Sequence, residues 1–255
     1  MKKFLLILLT IGLIACLLVG CNVTTPTEGE DEGEDEGEGE EETISRVVLV
    51  ELFTVGCPNC KIVEPILEQL AEEDYERSEM ILVEEIPYTA VQPVTIGAND
   101  RYKWYLPDIN QRETPNTLFN GSNQRIWKVA SKDSFKSMID KELAKEAKIS
   151  INVSRTGDSG STTLSGSIKN ISSSTLNNLL INGMAFNDRG VSGQKYLVSN
   201  IFRGVEETGV SLEPGAEQSF AFIIEELSWE ANNVNGVIFV QDKATKEIYQ
   251  AQFVE

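Results

Sequence analysis

No histidine occurs anywhere in the 255 residues. That absence removes Ser-His and Cys-His hydrolytic pairs, histidine metal sites and a histidine pH switch. Cysteine is scarce as well, with four in the chain. Cys16 and Cys21 lie in or beside an apolar leader, while Cys57 and Cys60 form the only C-x-x-C. Zinc would need further Cys or His ligands, so no metal is expected, and no cofactor is called for. Basic residues are few: 22 against 40 acids, a net charge of -18. The excess is local, because residues 28–42 hold 11 acids and no base. Setting aside those 11, and Lys2 and Lys3, leaves 29 acids against 20 bases, a balance of -9. A nucleic acid is therefore not an expected partner, since its phosphates demand a basic face.

What is present divides the chain into four parts. Lys2 and Lys3 precede an apolar run from Phe4 to Gly20, the charged and apolar regions of a signal peptide. As a helix the run reaches only about 26 Å, short of a hydrocarbon core of about 30 Å. Its end, Leu18-Val19-Gly20-Cys21, resembles the lipobox of bacterial lipoproteins. The resemblance implies cleavage after residue 20, lipidation of Cys21 and a membrane held through that anchor. Leu13-Ile14-Ala15-Cys16 also fits the pattern, but would leave apolar residues at the mature N-terminus. Everything beyond is expected outside the cytoplasm of a prokaryotic cell, in the envelope, where disulfides persist. Residues 22–42, with their Glu/Asp/Gly repeats, cannot bury enough surface to offset ordering entropy. Residues 21–43 therefore read as a lipidated cysteine and a disordered acidic linker.

Residues 44–148 read as an α/β domain. Ile44–Phe53 is rich in Val, Leu and Ile, and its run Val47-Val48-Leu49-Val50 is continuously apolar, as in a strand buried on both faces. Cys57-Pro58-Asn59-Cys60 follows at once, then Ile62, Val63, Ile66, Leu67 and Leu70 at helical spacing. Met80–Ile86 predicts a second strand, and residues 117–129 a hairpin around Asn120-Gly121. Asp133–Lys148 predicts an amphipathic helix. A C-x-x-C between strand and helix places its first sulfur at a helix N-terminus, where free N–H groups and the dipole stabilise a thiolate.

The segment Val48–Lys61, with Pro65 five residues after Cys60 and Thr114-Pro115 before a strand, resembles the thioredoxin-like family. The resemblance implies that Cys57 attacks and Cys60 resolves. It also implies that Pro115 is a cis proline facing the disulfide, and that Glu51 is a buried acid relaying protons to the second cysteine. Protein thiols or disulfides are the implied partners. There are departures: Gly56 stands where a tryptophan is usual, and Pro58-Asn59 replaces Gly-Pro. An insert of about thirty residues precedes Pro115 and contains Arg101-Tyr102-Lys103-Trp104-Tyr105, which reads as core or a helix flanking the site.

Residues 149–255 lose cysteine and show about seven short alternating runs between turn residues. They predict an all-β, immunoglobulin-like β-sandwich serving as spacer or docking module. No residue pattern speaks to oligomeric state. The whole layout resembles bacterial surface lipoproteins that join a divergent thioredoxin domain to a β-sandwich. Two functional readings stand: a membrane-anchored thiol–disulfide oxidoreductase, or a surface lipoprotein using the thioredoxin fold as a non-catalytic binding scaffold.

Overall fold

The apolar run Val47-Val48-Leu49-Val50 opens strand β1 (Val48–Phe53), which is buried along its whole length. The computed structural model describes residues 44–88, 95–157, 160–187, 195–203, 210–225 and 235–254. The leader, Cys21 and the acidic linker lie outside the described residues. Helix α1 (Cys60–Gln69) turns Val63 and Leu67 inward and contains Pro65. Ile62, expected on the same inner face, is instead 50% exposed. Val63, Leu67 and Leu70 already make a complete i, i+4, i+7 stripe, and Ile62 falls beside it. The chain continues through a π-helical turn (Leu70–Asp74) into β2 (Met80–Glu85), parallel to β1.

Helix α2 (Ala98–Tyr105) forms within the insert. Strand β3 (Asn116–Phe119) runs antiparallel to β1 and pairs with β4 (Arg125–Trp127). The expected two-residue Asn-Gly turn is a longer loop, closed where the Phe119 N–H donates to the Gln124 carbonyl. Asn120 is drawn inward: its Oδ1 accepts from the Leu49 N–H at 2.8 Å and its Nδ2 donates to the Val47 carbonyl. Helix α3 (Lys132–Leu143) is capped by Ser131, whose side chain accepts from the Ser134 N–H. Val48, Val50 and Leu52 share a core with residues of α1 and α3, including Val63, Leu67, Phe135 and Ile139. Phe53, next along the strand, lies in a separate cluster with Tyr102 and Tyr105 of α2.

The remaining strands are β5 (Ile149–Thr156), β6 (Thr162–Asn170), β7 (Leu176–Asn187), β8 (Leu197–Arg203), β9 (Val210–Leu212), β10 (Glu217–Ile224), β11 (Asn235–Asp242) and β12 (Ile248–Val254). β9 was not expected, being too short to show periodicity. Strands β10, β6 and β5 form a three-stranded sheet in that order. Its Leu164, Ile168, Phe220 and Phe222 share an apolar core with Leu179, Ile181, Ile238 and Val240 of the larger sheet. The protein is thus mostly β, with a mixed main sheet.

That main sheet runs across the expected boundary between residues 148 and 149. Its order is β12-β11-β7-β8-β2-β1-β3-β4, with β9 on β7. The junction is β2 beside β8, where Glu84 pairs with Leu197 and its N–H donates to the Tyr196 carbonyl at 2.8 Å. Met184, Phe186, Val237 and Phe239 belong to the same core as β1 and α1. All described residues fall in one compact unit, Glu42–Glu255. A buried β2 needs a neighbour on its second edge, because unpaired backbone groups away from water are costly.

Candidate redox site

Cys57 and Cys60 form a disulfide at the start of α1, with Cα atoms 4.9 Å apart. Asn59 precedes the helix but makes no side-chain cap. The Cys57 sulfur takes that place, accepting the Cys60 N–H at 3.1 Å. A sulfur that accepts an unpaired helix N–H is favoured in its thiolate form. Cys57 is half-buried, whereas Cys60 is fully buried. The two sulfurs therefore differ in access: one reaches solvent and the other does not.

Pro115 closes the site from the β3 side. The Thr114–Pro115 peptide is cis, and the Thr114 carbonyl lies 3.7 Å from the Cys57 sulfur. The approach to this peptide is pinned by two tyrosines. Tyr102 OH donates to the Glu113 carbonyl at 3.1 Å, and Tyr88 OH to the Arg112 carbonyl at 2.5 Å. On the other side the Lys128 N–H donates to the Pro115 carbonyl at 3.0 Å. Trp127, paired with Asn116, leaves 38% of its surface open beside the proline.

Glu51 is fully buried, as the resemblance implies, but its surroundings are not those of an unengaged acid. One oxygen pairs with Arg101 Nε, and the other accepts from Tyr105 OH at 2.6 Å. Tyr105 OH also accepts from Gln241 Nε2 at 2.8 Å, and Arg101 Nη1 lies 3.4 Å from Gln241 Oε1. Burial opposes the Arg101 charge, yet Glu51 and its neighbours hold its pKa above the usual arginine value. Burial, reinforced by Glu51, raises the Tyr105 pKa well above that of an ordinary tyrosine. The run Arg101–Tyr105 flanks the site as a helix, with Tyr102 stacked on Phe53 at 4.3 Å. Its arginine and Tyr105 are parts of the Glu51 network, which reading the run as aromatic core did not anticipate.

A second buried acid escaped the sequence reading altogether. Glu84 pairs with Leu52 across β1–β2 and shares no solvent surface. Neither carboxylate oxygen has a hydrogen-bond partner. Its pKa is pushed up to about 8 by burial, with Glu64 and Glu68 of α1 adding like charge. The available signal was two successive acids, Glu84-Glu85, inside an otherwise apolar strand.

Among the described residues no cluster of His, Cys, Asp or Glu is arranged to hold a metal, and no helix is long and apolar enough to cross a membrane. A cleft of about 450 Å³, bordered by Glu72, Asp74, Glu76, Arg77 and Phe253, lies at the opposite end of α1 from Cys60.

No family model and no curated protein matches the sequence. Among solved structures, HBP35 of Porphyromonas gingivalis aligns with 83% of this chain and 75% of its own, at 14% identity and a TM-score of 0.59. A domain of the outer membrane lipoprotein Omp28 from the same organism aligns with 43% of this chain and 88% of its own, at 20% identity and a TM-score of 0.33. At such identities likeness speaks to fold alone. Neither half of this chain amounts to 83% of it, so the fold shared with HBP35 takes in residues from both halves.

Proposed function

We propose that this protein is a lipid-anchored, extracytoplasmic thiol–disulfide oxidoreductase. Its first half is thioredoxin-like, and its second half is an immunoglobulin-like sandwich built onto the same sheet. The observation that carries the reading is the inequality of the two cysteines. Cys57 is open to a partner and accepts a helix N–H, while Cys60 is buried directly behind it. The Cys57 thiolate attacks a disulfide of a client protein, and a mixed disulfide forms. The Cys60 sulfur then attacks Cys57, releases the reduced client and closes the disulfide. Pro115, one residue beyond the carbonyl that faces Cys57, lines the place where the client chain lies. Cys21 carries the lipid, and its acyl chains together supply the two or more signals that stable anchoring requires.

Trapping tests this. Cys60→Ser leaves the attacking thiol without its resolving partner and should accumulate mixed disulfides with client proteins. Cys57→Ser should accumulate few. If neither variant gives adducts, the scaffold reading replaces the enzymatic one. Cys21→Ser should release the protein from membranes.

A further inference from the structure

Opening the Cys57–Cys60 disulfide creates a buried thiolate at Cys60, and a buried charge needs a proton nearby. Glu51 is badly placed to supply it, since both of its oxygens are engaged by Arg101 and Tyr105. On β2 the neighbouring acid has the opposite character. Glu84 lies level with Leu52, on the other side of the sheet from Glu51, and interacts with Glu64 and Glu68 of α1. Above it, Cys60, Glu64 and Glu68 recur every four residues along α1, which places them on one face. Glu64 is tied to the cysteine loop: Thr54 Oγ1 donates to its carboxylate and accepts from the Gly56 N–H at 3.5 Å.

We propose that Glu84, acting with Glu64 beneath the first turns of α1, stores the proton that Cys60 gains when the disulfide opens and loses when it closes. The idea rests on the redox reading above and names the proton donor within it. In the reductive direction a thiolate of a dithiol protein attacks the Cys57 sulfur. The sulfur–sulfur bond breaks and its electron pair leaves on Cys60. Cys60 takes the proton of Glu84, and the Glu84 carboxylate is reprotonated from solvent past half-buried Glu64. The second thiolate of the partner then attacks the mixed disulfide at the partner's own sulfur, releasing Cys57 as a thiolate and leaving the partner oxidised.

The charged groups that act on Glu84 are both acids. Glu64 and Glu68 on α1 both disfavour its ionisation. The Tyr196 carbonyl accepts its backbone N–H. The nearby cation, Lys195, is held by Glu72 at 2.6 Å. Glu84 is thereby protonated for the most part at neutral pH, as a donor must be.

The test is the pH profile of Cys60 alkylation in the Cys57→Ser protein, with the Cys60 peptide quantified by mass spectrometry. With Glu84 present, its ionisation opposes that of Cys60. Glu84→Gln should therefore move the Cys60 profile to lower pH by about half a unit or more. Glu64→Gln, at a half-buried position, relieves Glu84 of a like charge. It should move the break that Glu84 imposes on the profile to lower pH, which keeps the test open if the buried substitution unfolds the chain. Unmoved profiles in both variants overturn the proposal, as does a shift produced by Glu51→Gln alone. A protein that shows the Glu84 shift but traps no client would sink the redox reading while leaving the coupling intact.

Discussion

Arg101 and Glu51 form an ion pair in which neither side chain retains any solvent contact. The pair is completed by Tyr105 from α2 and Gln241 from β11, so the two halves of the chain meet around one buried charge pair. Removing one member leaves the other charged and unpaired in the interior. Arg101→Leu should cost about 3–5 kcal/mol of stability. Adding Glu51→Gln to it should recover much of that loss. Urea unfolding of both single variants and the double variant checks this, and a double loss equal to the sum of the single losses would show that the pair is not coupled.

Glu84 sets a pH dependence of the opposite sign to that of an ordinary salt-bridged carboxylate. Its folded pKa of about 8 lies above the usual carboxyl value of 4.5. Between those values the unfolded chain has released the proton while the folded chain keeps it, so stability falls as pH rises from about 4.5 to 8. Glu84→Gln should be close to neutral at pH 4 and stabilising by roughly 3 kcal/mol at pH 7. Thermal melts across that window read the effect, and a variant with the same slope as the parent would refute it.

Two glycines should respond differently to alanine. At Gly121 (φ +102°) an added Cβ would stand 1.9 Å from the Lys246 carbonyl oxygen, where the β3–β4 loop meets the β11–β12 turn. At Gly56 (φ +67°), beside Cys57, nothing lies within 4 Å. Gly56→Ala should cost only the left-handed backbone strain, about 1–2 kcal/mol. Gly121→Ala should cost that and the displacement of a backbone, with an early unfolding midpoint in denaturant.

The fragment 44–148 should not melt cooperatively by itself. Without the second half, β2 loses β8 from one edge. Arg46 also loses the Ile248 carbonyl, which it meets at 2.7 Å, and the Glu247 carboxylate. Phe239 and Met184 leave the core that packs on β1. Calorimetry of the fragment beside the whole protein decides this, and a sharp independent transition would show two self-sufficient domains.

Local chemistry was legible in the sequence because it depends on neighbours along the chain. The buried strand before Cys57, the helix after Cys60, Pro115 ahead of β3 and, among the described residues, seven of the eight strands after residue 148 follow from apolar period and turn residues. What Glu51 touches was not legible. Arg101 is 50 residues away and Tyr105 is 54 away, and both reach it only once α2 has docked, with Gln241 of β11 bonded to the pair from behind. The same holds for the seam between β2 and β8. Residues 148 and 149 mark a change in composition, which the sequence displays, but edge pairing is a long-range choice made by unsatisfied backbone groups. Glu84 shows the division most plainly. Its charge type is written in the chain, while its protonation is decided by the helix that covers it and by the two acids that helix brings.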